Sequence, residues 1–153
     1  MIYVLDTSAV IDGRIRYYPP EVFPGLWQRI EDLVVQERLI SSEEVLLELE
    51  KVEDDAFAWA IDHPAMFLAI DAEIQVAVTN ILGRHPRLVN AQKSRSMADP
   101  WVIALASIKQ GTVVTGEHRS GNLSRPKIPD VCNHEQIPYV DFIGMIRREK
   151  WVF

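Results

Sequence analysis

Cysteine is almost missing from this chain: Cys132 stands alone, which excludes an intrachain disulfide and leaves stability to an ordinary core. No Cys/His set stands at zinc-ligand spacing, which excludes a sequence-local zinc module. Long apolar runs are missing too. With neither a membrane-spanning stretch nor a leading apolar signal segment, the expectation is a soluble, cytoplasmic chain without a membrane partner. No repeat, low-complexity tract or Gly/Ser-rich linker interrupts the 153 residues, so residues 1–153 read as one domain. A chain of that length buries roughly two thirds of the surface its unfolded form exposes. Positive charge is short as well. The 16 Lys and Arg against 22 Asp and Glu leave a net charge of −6, which excludes nucleic-acid binding by bulk attraction and shifts the question to where the cations sit.

Their distribution is uneven. Glu43 to Asp55 is strongly acidic, with Lys51 as its one cation, whereas Arg84, Arg87, Lys93 and Arg95 lie in a stretch with no acid. A second cationic stretch, "HRSGNLSRPK", follows Glu117. Each reads either as a solvated face or as a grip for phosphate.

Apolar strands alternate with amphipathic helices nearly throughout. Ile2 to Leu5 is a short, β-branched buried strand; "EVFPGLWQRIEDLVVQERL" has the three- and four-residue apolar spacing of a helix. Leu39-Ile40 is a strand, with Ser41 or Ser42 capping the helix "SEEVLLELEKV". A helix over 55–62 ends before Pro64, "MFLAI" is a strand, and a helix from Asp71 stops at Gly83. "SMADPWVIALASIKQG" is a helix opened by Ser96 and Asp99 and closed at Gly111. "TVVT" and "PYVDF" complete the strands, and 143–150 is a last helix. The pattern implies an α/β fold, a mostly parallel sheet of four to five strands sandwiched between helices, with ligands bound outside the carboxyl ends of the strands.

At one such end stands Asp6, in "VLDTSAVID". It reads as a helix cap together with Thr7 or Ser8, or as a functional carboxylate if other acids reach the same rim. Glu117, after "TVVT", belongs to that rim in a parallel sheet. At 100° per residue Glu48 lies between Val45 and Val52 on the flank of an apolar stripe, and Asp99 shares a face with Val102, Ile103 and Ala106. Asp99 reads alternatively as the closing acid of a capping box begun by Ser96. Four clustered acids resist joint ionisation unless a cation joins them, and an all-oxygen donor set selects Mg2+ or Mn2+. Such an ion neutralises phosphate and activates water, which points to phosphodiester hydrolysis.

"VLDTSAVID", "SSEEVLLELEK", "ADPWVIALA" and "VVTGE", in that order, resemble the ordered motifs of PIN-domain ribonucleases, in particular the VapC-like toxins and a related branch of unknown function carrying a "KIPDVC"-like stretch. The resemblance implies a PIN-like fold, metal-dependent endoribonuclease activity, and the toxin role in a toxin–antitoxin pair. It also implies a homodimer and a protein antitoxin that blocks the site. Motif by motif it implies Asp6, Glu48, Asp99 and Glu117 as catalytic metal-site acids, with the hydroxyls of Ser8 and Thr115 beside them. One departure is plain: the family's T-x-D motif ends here in Glu117, whose longer arm reaches a metal directly or through water.

Arg84, Arg87, Lys93, Arg95, Arg119, Arg125 and Lys127 are candidates for gripping RNA. His118 reads as a polar neighbour of the site, Asp130 as the start of a helical turn, and Trp27, Trp59 and Trp101 as core. Trp151 reads as a cover for the sheet edge or a subunit contact, and Cys132 as a small buried apolar residue. Two other enzymes place Asp at a first strand tip. A haloacid-dehalogenase-like phosphatase needs a second Asp where this chain has Ser8, and a phospho-acceptor receiver needs acids beside the first. A catalytically degenerate PIN-like module that binds RNA or a partner is the alternative from a different class, and Glu117 is the residue that keeps it open.

Overall fold

The computed structural model describes residues 1–89 and 98–153. The expected α/β architecture is present, and Lys93, Arg95 and Ser96 lie outside the described residues. Strand β1 (Tyr3–Leu5) leads into α1 (Thr7–Ile11), which widens into a π-helical turn, Asp12–Tyr17. Then follow α2 (Pro24–Val35), β2 (Leu39–Ser42), α3 (Glu43–Glu50), α4 (Asp55–Ile61), a 3-10 turn at Pro64–Met66 and β3 (Phe67–Leu68). The second half contains α5 (Ala72–Arg84), α6 (Asp99–Lys109), β4 (Thr112–Val114), α7 (Ile128–Glu135), β5 (Tyr139–Val140) and α8 (Phe142–Arg148). No helix among the described residues is long and apolar enough to cross a membrane.

The five strands form one sheet in the order β3-β2-β1-β4-β5, and every neighbouring pair is parallel. Parallel pairing requires a crossover between strands, and the helices supply it while covering the apolar faces. The central strands are the most apolar. Tyr3, Val4 and Leu5 pair with Thr112, Val113 and Val114, and all of these side chains are buried with Ile103, Leu105, Ile128 and Met145. Tyr3 keeps its hydroxyl satisfied by donating to Glu149 at 2.8 Å.

Short acids start several helices. Asp54, Asp71 and Asp141 accept first-turn amides of α4, α5 and α8, and Ser42 does the same for α3. Three local expectations are corrected. α5 continues through Gly83 to Arg84, because nothing near Gly83 demands a special backbone. α6 is ended by Gln110 in the left-handed region (φ 53°) rather than by Gly111, whose missing Cβ lets its backbone lie against the Ile2 carbonyl. The helical turn expected at Pro129-Asp130 is the full helix α7.

The glycines give a paired test. A Cβ at Gly13 would stand 2.5 Å from Cε2 of the buried Phe142 ring, whereas one at Gly83 meets nothing within 4 Å. Gly13→Ala should therefore cost about 1–3 kcal/mol by overpacking. Gly83→Ala should add roughly 0.5–1 kcal/mol by helix propensity. Urea unfolding of the two variants beside wild type checks both signs.

Candidate metal centre at the strand tips

The chain builds β1, β2 and β3 outward to one side of the sheet and then places β4 and β5 on the other side of β1. Direction reverses between β1 and β4, so their carboxyl ends flank the crevice where open parallel sheets place ligands. Asp6 follows β1 there and Thr115 follows β4. The Asp6 amide donates to the Val114 carbonyl at 2.9 Å, which carries the β1–β4 pairing past the last strand residue. Its carboxylate is only 2% exposed. Oδ1 accepts the Thr7 amide at 2.7 Å, and Oδ2 accepts the hydroxyls of Ser8 (2.6 Å) and Thr115 (3.0 Å). Burial pushes the Asp6 carboxyl up, the Ser8 and Thr115 hydroxyls oppose that, and the charge of Glu48 adds to it. Asp6 is thus both the N-cap of α1 and a buried acid facing other acids.

Glu48 comes from α3 and joins two further segments. Its Oε2 accepts the Thr7 hydroxyl at 2.5 Å, and its Oε1 accepts the amide of Ala98 at 3.0 Å. That second bond fixes the start of α6. Ala98 is the N-cap, its carbonyl accepting from the Trp101 and Val102 amides, and the buried Asp99 is the first helical residue with Pro100 behind it. Ser96, the other half of the capping-box reading of Asp99, lies outside the described residues.

Glu117 is carried to the same crevice by a chain of bonds: the Gly116 amide donates to Ser8 Oγ (2.9 Å), and the Glu117 amide to Thr115 Oγ1 (3.1 Å). The Glu117 Oε2 accepts the Ile128 amide of α7 at 3.0 Å. Burial pushes its carboxyl up, the charge of Asp6 pushes the same way, and the Ile128 amide and Lys127 oppose. One hydrogen-bond network therefore connects Asp6, Thr7, Ser8, Glu48, Thr115 and Glu117, and Glu48 ties it to the residue before Asp99.

Three residues of this region were not singled out in the sequence as members of it. Asp12 is buried, and a Cβ at Gly116 would fall on its carboxylate, so Asp12 packs against the Gly116-Glu117 loop. Arg16 donates to its Oδ1 at 3.0 Å. The signal was available: Asp12 lies four residues after Ser8, on the same helical face. Thr7 is the hydroxyl that links Asp6 to Glu48. Cys132 is buried as expected, and its thiol is pushed up to about 12 by burial and then by the charges of Asp6 and Glu117, which it underlies. Asp130 is an anchor for the neighbouring loop. Burial works against its ionised form, but the Lys127, Ser120 and Gly121 amides and the Ser120 hydroxyl outweigh it and hold the carboxyl at about 2.

Among the basic candidates, Arg87, Arg119, Arg125 and Lys127 are exposed, as is His118. Arg84 donates to Glu135 at 2.6 Å. Trp27 and Trp59 are core residues packed edge to face, and Trp101 and Trp151 are half-buried against that core.

The donor set fits a hard divalent cation: oxygens only, several of them buried, with Asp6 and Glu117 pushed toward protonation by burial and by other acids. Among the described residues, a trio of His, Cys, Asp or Glu side chains with donor atoms all within 4.8 Å of one another lies away from this rim, at His85, His134 and Glu135. Mg2+ keeps several waters and takes few carboxylates, so such a site does not need every acid to close on one point.

With a parallel sheet and acids gathered at its switch point, the chain belongs to the family described as Domain of unknown function (DUF4411), which matches residues 3–153. No curated protein matches it. Among solved structures it is similar to a chain of the "Crystal Structure of FitAcB from Neisseria gonorrhoeae", at a TM-score of 0.44 and 16% identity, over 90% of this chain and 96% of that one.

The buried Asp6 yields a pH test. Its carboxyl is raised in the folded state, so ionisation costs stability; the cost is present above the raised value and vanishes as pH falls below the ordinary carboxylate value of about 3.9. With EDTA present, Asp6→Asn should melt above wild type at pH 8, at roughly 2–4 °C for each kcal/mol relieved, and the gap should close toward pH 4. Thermal melts of both proteins across that range check it.

Proposed function

We propose that this protein is a Mg2+- or Mn2+-dependent endoribonuclease of PIN type, hydrolysing RNA phosphodiester bonds. The observation that carries the reading is the bond network that links Asp6, Glu48 and Glu117 at the crevice between β1 and β4 and ties Glu48 to the residue before Asp99, in the order of the motifs that resemble that family. Asp6, Glu48 and Asp99 would hold the cation. Glu117 would contribute the oxygen that the Ile128 amide leaves free. A bound cation there supplies charge neutralisation for the scissile phosphate and a water of lowered pKa.

The remaining work belongs to this chain's own side chains. Ser8 and Thr115 fix Oδ2 of Asp6, and Thr7 fixes Oε2 of Glu48, so both carboxylates are oriented before substrate arrives. Arg87, Arg119, Arg125 and Lys127 offer exposed cations for phosphates on either side of the scissile bond. The toxin role, a homodimer and a protein antitoxin follow from the same resemblance and are part of this proposal.

A second reading, a PIN-like module that binds RNA or a partner without cutting, is favoured by Glu in place of the usual Asp at 117. Incubation with mixed structured RNAs separates the two. Cleavage should require Mn2+ or Mg2+ and stop with EDTA. Asp99→Asn should lower it by about 10²–10³-fold, or roughly 3–4 kcal/mol of barrier. Glu117→Gln should be milder. Cleavage at the wild-type rate by folded Asp99→Asn would overturn the nuclease assignment, and metal-independent RNA binding with no cleavage would favour the second reading.

A further inference from the structure

Beyond the rim, at the other end of α7, the fold brings two histidines and a glutamate together. His85 follows α5 directly, and its amide donates to the Ile81 carbonyl at 2.8 Å. Its side chain is only 4% exposed, yet Nε2 has no hydrogen-bond partner among the described residues. Its polar neighbour is the Glu135 carboxylate, at ion-pair distance without a well-formed hydrogen bond, and a buried nitrogen so placed is rare. That nitrogen lies 3.4 Å from Glu135 Oε1, and the His134 ring stands edge-on to the His85 ring with centroids 4.7 Å apart. One donor atom from each of the three side chains falls within a 4.8 Å cluster.

We propose that His85, His134 and Glu135 form a second metal site, a clasp for a first-row transition dication such as Zn2+, tying the end of α5 to the end of α7. The donor chemistry separates it from the rim: two imidazoles and a carboxylate suit Zn2+, Co2+ or Ni2+, where Mg2+ prefers oxygen and water. The spacing agrees. Ligands about 2.0–2.1 Å from a tetrahedral ion stand roughly 3.3–3.4 Å apart, the separation already present between His85 Nε2 and Glu135 Oε1. His134 is exposed, and its donor atom already lies within 4.8 Å of the other two. Arg84 donates at 2.6 Å to that same Glu135 Oε1, which keeps a second lone pair for the ion, and so orients the carboxylate. Three protein ligands leave a fourth position open to water.

The clasp is independent of the nuclease reading. Glu117 meets α7 at Ile128, and His134 lies six residues further on, about 9 Å along the helix axis. No local spacing announced it, because His85 and His134 belong to segments far apart in the chain.

The test uses Co2+ as a visible probe on the full chain, stripped with a chelator and held in excess Mg2+ so that the oxygen-only rim does not compete. Co2+ should produce a saturable ligand-field absorption at one equivalent, displaced by Zn2+. His134→Ala, an exposed change that leaves the core alone, and Glu135→Gln should each weaken binding by at least about tenfold. His85→Gln should do the same where circular dichroism shows it folded. Asp99→Asn should leave the spectrum unchanged. A band indifferent to His134→Ala, a band lost with Asp99→Asn, or no saturable band at all would overturn the proposal.

Discussion

A carboxylate buried at the tip of the central strand governs this molecule. Asp6 accepts three hydrogen bonds inside the protein and is almost sealed from water, so the surrounding residues are arranged to hold a negative charge where burial opposes it. Two hydroxyls, one amide and the N-terminus of α1 partly compensate. They leave the acid pushed toward protonation, which is costly for a group whose only role is to cap a helix. A cation is the compensation that this geometry lacks internally.

The rest of the rim follows from the same constraint. Thr7 and Ser8 lie in the first turn after Asp6, so one residue reaches sideways to Glu48 while the other reaches across to Gly116 and Thr115. Glu48 in turn accepts the amide that precedes Asp99. It thereby brings the positive end of the α6 dipole to the acids and sets where α6 begins. Gly116 has no side chain because the Asp12 carboxylate occupies the space where one would go. Asp130, held at about 2 by its amide and hydroxyl donors, fixes the loop that carries Arg119 and Arg125. The network thus reaches the exposed cations through ordinary backbone bonds rather than through flexible ion pairs.

Most of the fold was legible because its signals are local. Short β-branched runs, amphipathic spacing and Asp or Ser before several of the helices mark the strands and helices, and parallel direction follows from their alternation. Asp6 and Glu117 were placed at one rim by that rule alone. The misreadings arose where tertiary contacts overrode local preference. Gln110 takes a backbone conformation that favours glycine, leaving Gly111 for close approach to Ile2. Asp12 escaped notice although its spacing from Ser8 was visible. What makes it part of the site is a neighbouring loop, which no periodicity reports. His85 and His134 were illegible in principle, since only the packed structure brings their rings together.

The central claim is that the acids at the β1–β4 crevice form a divalent-cation site. Electron paramagnetic resonance of free Mn2+ tests it without substrate or activity, since bound Mn2+ drops out of the free-ion signal. The account predicts that wild-type protein depletes that signal saturably, that Asp6→Asn and Glu48→Gln restore it, and that His134→Ala leaves the depletion intact. Depletion that survives both acid substitutions, or no depletion by the wild type, would contradict it.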